Sequence, residues 1–171
     1  AHRDLLASDA VLSADGARWR HDLVALNIGS RGNAGFEVRL QTAGQDLHSG
    51  RYGGIVANPL HVLSTLIASL HDAQGHIAAP GFYDGVTEPT PQERAEIAAI
   101  PYDEPGTFAL IGAQPHGEAG YSTLERLWMR PTLDVNGMWG GYTWAGSKTV
   151  IPNEAYAKLT MRLVPGQDPQ A

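Results

Sequence analysis

The clearest alternation along the chain runs over residues 156–163. There Ala157, Leu159, Met161 and Leu163 fall on one side, and Lys158, Thr160 and Arg162 on the other. A period of two is that of a β-strand with one buried and one wet face. Phe36, Val38 and Leu40 alternate in the same way with Glu37, Arg39 and Gln41, which predicts a second half-buried strand. Leu133 and Val135, set between polar neighbours, mark a third. A fourth is expected around 22–29, where Leu23 and Ala25 alternate less evenly. Ser30-Arg31-Gly32-Asn33 then reads as a turn joining it to the Phe36 strand in a hairpin.

Over residues 58–71 the period changes. Pro59 follows Asn58 at a first helical position, where a missing N–H costs nothing, and Leu60, Leu63, Ile67 and Leu70 recur at helical spacing. Val62 and Leu66 widen the apolar stripe, so this helix is expected to be covered by its own sheet and by a second subunit. Gly75 is placed to stop the helix or turn the chain after it. Residues 78–120 are rich in Pro and Gly, with a short helix signalled by the capping box Thr90-Pro91-Gln92-Glu93. A second capping box, Ser122-Thr123-Leu124-Glu125, opens a helix that carries Leu127 and Trp128. The pattern predicts an α+β domain: a ferredoxin-like, four-stranded antiparallel sheet with two main helices on one face, plus a Pro/Gly-rich insertion.

Composition narrows the partners. With 171 residues and 43% hydrophobic content the chain can bury one core, and a chain of this length removes about 70% of its unfolded surface from water. The net charge of −6 and the scatter of the twelve basic residues argue against nucleic acid, which demands clustered Lys and Arg. There is no cysteine, so neither disulfides nor thiolate zinc sites are available. No apolar run approaches the length that spans a bilayer, so no membrane partner is expected. Residues 141–149 look like a phosphate-binding loop, but an extra Ser separates Gly146 from Lys148 and the chain runs on to Ile151-Pro152 rather than into a helix.

The candidate chemistry lies in residues 46–54, Asp-Leu-His-Ser-Gly-Arg-Tyr-Gly-Gly, which set His48 between a strand and a helix in a glycine-flanked connection. Short connections on a rigid scaffold are where functional groups are held. In isolation, a histidine in such a turn is more often a local cap or a solvated side chain. The segment resembles one in the zinc metallopeptidases that include carnosine dipeptidases, aminoacylases and succinyl-diaminopimelate desuccinylases. Two further segments resemble that family in the same order: Gly146-Ser147-Lys148-Thr149-Val150-Ile151-Pro152 and Met161-Arg162-Leu163-Val164-Pro165. The likeness is greatest to the dipeptidase branch, and it identifies the chain as a lid or dimerisation domain. Residues 1–15 would then be a remnant of the junction with the catalytic domain, and 16–171 the lid.

The resemblance implies roles for four residues. His48 would reach the active site of the partner subunit and stabilise an oxyanion. Arg162 would bind the substrate's terminal carboxylate, and Thr149 would contribute a hydroxyl to the substrate pocket. Asp9 would be a metal ligand in the full-length enzyme, where two zinc ions and a glutamate activate a water. The fragment itself holds no cofactor in this reading and is expected to be inactive alone. The implied substrate is a dipeptide or an N-acyl amino acid, the implied partner a second copy of the chain, and a cytoplasmic parent is expected ahead of a secreted one. The contrasting reading is a free-standing α+β interaction or small-ligand module without catalysis.

Overall fold

The computed structural model describes residues 4–5, 7–10, 22–23 and 25–170. Residues 1–30 and 31–171 form two compact units, and among the described residues the helices and strands lie in the second. In chain order these are β1 (Gly32–Gln41), β2 (Leu47–His48), α1 (Ser49–Tyr52), α2 (Pro59–Ala68), α3 (Pro91–Ala98), α4 (Glu104–Ile111), α5 (Thr123–Trp128), β3 (Thr132–Gly140), β4 (Val150–Ile151) and β5 (Glu154–Leu163). The chain is thus α+β with antiparallel sheets.

The main sheet has the order β1-β5-β3. The strand with the clearest alternation, β5, takes the centre, and its burial follows the sequence. Ala155, Ala157, Leu159 and Leu163 are buried, while Lys158 and Arg162 are exposed. Helix α2 covers the apolar face, with Leu63 fully buried against Ala155 and Ala157 and with Val38, Leu40, Leu60 and Ile67 around it. A second cluster of Ile77, Leu133 and Leu159 continues the core beneath Leu70, Phe82 and Tyr83. On the outer face Trp139 stacks on Tyr156 with ring centroids 5.2 Å apart.

The sequence expectations fare unevenly here. Three strands, not four, make up the main sheet among the described residues, which show no hairpin between 22–29 and the Phe36 strand. Residues 25–31 carry no ladder, and β1 pairs along its whole length with β5 instead. The uneven alternation of 22–29 gave no face to bury, and Leu26 and Ile28 stand 85% and 96% exposed. Of the two helices expected on one face, α2 lies on the sheet, whereas α5 packs with α3. Helix α2 begins as predicted, with the Asn58 side chain accepting from Leu60 N–H, but ends at Ala68, three residues early. There Ser69 Oγ donates to Leu66 O, and the chain turns so that His71 pairs with Ile77. Gly75 serves that turn in the left-handed region, at φ 79°.

Both predicted capping boxes form, at Thr90 and at Ser122. Helix α4 was not anticipated, although Asp103, Glu104 and Pro105 spell an N-terminus that the apolar run behind them obscured. The insertion is tied down by Arg130, 4% exposed. Its guanidinium grips Glu118 through Nε (2.7 Å) and Nη2 (2.6 Å) and reaches Glu88 through Nη1 (3.1 Å). The rings of Tyr121 and Tyr83 lie over it at 4.3 and 5.2 Å. Burial and the Glu88 carboxylate push the Tyr121 hydroxyl up to about 12.

Candidate functional site

His48 is fixed by a small ribbon rather than by the main sheet. Leu47 pairs with Ile151 and His48 with Val150. The ribbon is closed on both sides: Asp46 Oδ1 accepts from Asn153 N–H at 3.0 Å, and Ser49 N–H donates to Thr149 O at 3.0 Å. Ile151, 5% exposed, anchors the ribbon in the core. Thr42 N–H donates to Asn153 O at 2.9 Å, joining the ribbon to the end of β1.

The imidazole is held at both nitrogens. Gly50 N–H donates to Nδ1 at 3.0 Å, so His48 caps the one-turn helix α1. Nε2 lies 3.2 Å from Thr149 Oγ1. A neutral imidazole carries one N–H and one lone pair, so acceptance at Nδ1 leaves the proton on Nε2. Thr149 Oγ1 then accepts from Nε2–H, and its own hydroxyl hydrogen is left to donate elsewhere. One free neutral donor, Oγ1–H, is therefore offered at a small exposed surface, with Nε2–H beside it held by Oγ1. That arrangement suits hydrogen bonding to a ligand oxygen carrying negative charge.

Arg162 is elsewhere. It sits on the outer face of β5, opposite Asn33 of β1 and Thr132 of β3, and is exposed. The ribbon of His48 joins the other end of β5, next to Asn153. At the rise of an antiparallel strand, residues 154–162 extend roughly 27 Å. His48 and Thr149 are thus brought together, and Arg162 is not brought to them.

Near Arg162 the sequence reading missed a second cation. Burial lowers the pKa of the Arg31 guanidinium, the positive charge of Arg162 lowers it further, and Asp134 works in the opposite direction. Arg31 Nη1 also donates to Arg130 O at 3.1 Å. At the His48 end, Glu154 takes hydrogen bonds from Arg39 and Tyr156, in that order the main reasons its carboxyl lies below the usual range. Asp46 and Asn153 were also missed as supports; nothing in spacing marks an aspartate as the clamp of a ribbon whose other strand lies a hundred residues on.

Asp9 is exposed and lies in the first unit. Among the described residues, no group of three or more His, Cys, Asp or Glu side chains is placed to hold a metal ion. The described residues do not make a metal centre by themselves.

Residues 28–171 match the family model described as the peptidase dimerisation domain. The Beta-Ala-His dipeptidase of Rattus norvegicus is 34% identical over 162 residues, which cover 94% of this chain and 33% of the relative. The Cys-Gly metallodipeptidase of Candida albicans is 34% identical over 141 residues, covering 82% of this chain and 29% of the relative. Among solved structures, an M20 family metallo-carboxypeptidase from Sulfolobus solfataricus superposes with a TM-score of 0.71 at 38% identity, over 83% of this chain and 37% of that one. The chain spans about a third of the length of the curated relatives it matches. Its sequence from residue 28 onward and its fold together place it in the peptidase dimerisation domain family of the M20 metallopeptidases.

Proposed function

We propose that this chain is the dimerisation and substrate-capping lid of a metal-dependent dipeptidase or related amidohydrolase, with no activity as an isolated fragment. In this reading residues 1–15 belong to the junction with a catalytic domain, and the complete enzyme hydrolyses an amide bond in a dipeptide or N-acyl amino acid. The metal chemistry, expected from two zinc ions, belongs to other segments, with Asp9 as one carboxylate ligand.

One observation carries the reading. His48 and Thr149 share one end of the domain, while Arg162 lies roughly 27 Å away along β5. Two residues fully extended span at most about 7 Å, so one dipeptide cannot touch both ends of a single chain. A two-fold partner resolves this, because it can bring its own His48 end to the Arg162 end of its neighbour. Arg162 then holds the substrate carboxylate with its planar fork, while the partner's ribbon supplies Oγ1–H, and Nε2–H as it passes from Thr149 to the substrate, to the developing oxyanion.

Exposed apolar residues support such a partner. Val135 and Met138 pair with Leu159 and Ala157, so they lie on the helix-covered face of the sheet, yet they remain 42% and 41% exposed. Val62 and Leu66, one turn apart on α2, are 43% and 38% exposed. Because β3 is an edge strand, its free backbone groups can also pair. We assign these exposed residues of α2 and β3 to the subunit interface.

Sedimentation of the 171-residue chain over a concentration series tests the assignment. The expected result is a dimer that persists at low micromolar concentration and dissociates in the double variant Val62→Glu/Met138→Glu with its circular dichroism intact. A strict monomer at high concentration contradicts it.

A further inference from the structure

The trans role proposed for His48 requires more than the histidine. To donate to an oxyanion, the ring must keep its proton on Nε2 and keep that nitrogen at the exposed edge where it meets Thr149, ready to pass its hydrogen bond to a ligand oxygen. In the alternative neutral tautomer Nε2 is an acceptor and would repel the same oxygen. Something in the chain must choose between the two.

We infer that Gly50 is the residue that makes this choice, by acting on His48 in two independent ways; the inference rests on the reading of His48 as an oxyanion donor. The first is the hydrogen bond. Gly50 N–H, 3.0 Å from Nδ1, can only be accepted by a lone pair, so it selects the tautomer protonated at Nε2. The second is space. A Cβ built on Gly50 would stand 2.9 Å from His48 Cε1 and 3.2 Å from Nδ1. Carbon atoms settle at about 3.5–4.0 Å, so any side chain at position 50 drives the ring away from the place where it meets Thr149.

Backbone demand does not explain this glycine. It sits inside the helical turn α1 and is not among the positive-φ glycines, unlike Gly54 at φ 85°. An alanine suits a helical turn better than glycine does, so the only cost of Gly50→Ala is paid by the imidazole. That separates positioning from stability: alanine's gain in the turn offsets the lost cap on α1, so the substitution should leave the fold about as stable and still misplace the ring.

The test is nitrogen-15 NMR on the histidine-labelled chain at about pH 8, where an ordinary imidazole is neutral. Wild-type His48 should show a protonated Nε2 and an unprotonated Nδ1. Gly50→Ala should lose that pattern toward a tautomer mixture, while the His61 and His71 signals and the melting temperature hold. In the full-length enzyme, Gly50→Ala should lower kcat by about tenfold or more with little change in KM, and add nothing to the loss from His48→Ala. A wild-type ring protonated at Nδ1, or a Gly50→Ala ring that keeps the wild-type pattern, would overturn the inference. If the NMR outcomes hold but His48→Ala leaves kcat intact, the reading of His48 fails and the positioning by Gly50 stands.

Discussion

The carboxylates that close helix ends tie the stability of the fold to pH. Hydrogen bonds from Thr90 hold the Glu93 carboxyl below its ordinary value. For Glu125 burial pulls upward, but the bonds from Ser122 and the Arg94 guanidinium outweigh it, so that carboxyl too is held low. A carboxyl whose folded value is depressed stabilises the fold fully above its unfolded value, and the contribution is lost as pH falls through the folded one. The melting temperature should therefore hold from neutrality to about pH 5 and fall below about pH 4.3, the ordinary glutamate value. Glu125→Gln should be less stable at neutral pH and show a shallower fall; an unchanged slope would remove Glu125 from the account. At this scale the sequence was informative about which residues to watch. It pointed to His48, Thr149 and Arg162, but not to Arg31, Asp46 or Asn153, because their relations cross the chain and leave no local spacing.

Among the elements, legibility followed the strength of the period. The strict alternation of 156–163 became the central strand, and the capped apolar stripe beginning at Asn58 became the helix on the sheet. The weak alternation of 22–29 gave no strand in its described part, which removed the fourth strand of the expected sheet. Strands of two residues such as β2 and β4 are too short to carry any period, so the ribbon that holds His48 was visible only as a motif. The packing of α2 rests on Leu63, which is fully buried between Ala155 and Ala157. Leu63→Ala should cost about 2–5 kcal/mol in denaturant unfolding, since the strands beneath it cannot collapse into the space. A loss below about 1 kcal/mol would mean that α2 is not seated on the sheet as described.

For the whole molecule, the separation along β5 is the feature from which function is argued. A domain that held His48, Thr149 and Arg162 in one place would need no partner. With Arg162 about 27 Å from the ribbon end, the proposed site draws on two copies that exchange ends. That division is tested most directly by mixing two inactive forms of the full-length enzyme, His48→Ala and Arg162→Ala, under conditions that let subunits exchange, and measuring dipeptide hydrolysis. If His48 acts in trans and Arg162 in its own subunit, each mixed dimer holds one intact site. Activity should then recover to about a quarter of wild type, since half of the dimers are mixed and one site in two of those is intact. No recovery, with subunit exchange verified by mass, would contradict the account, because it would mean that both residues serve the same site from the same chain.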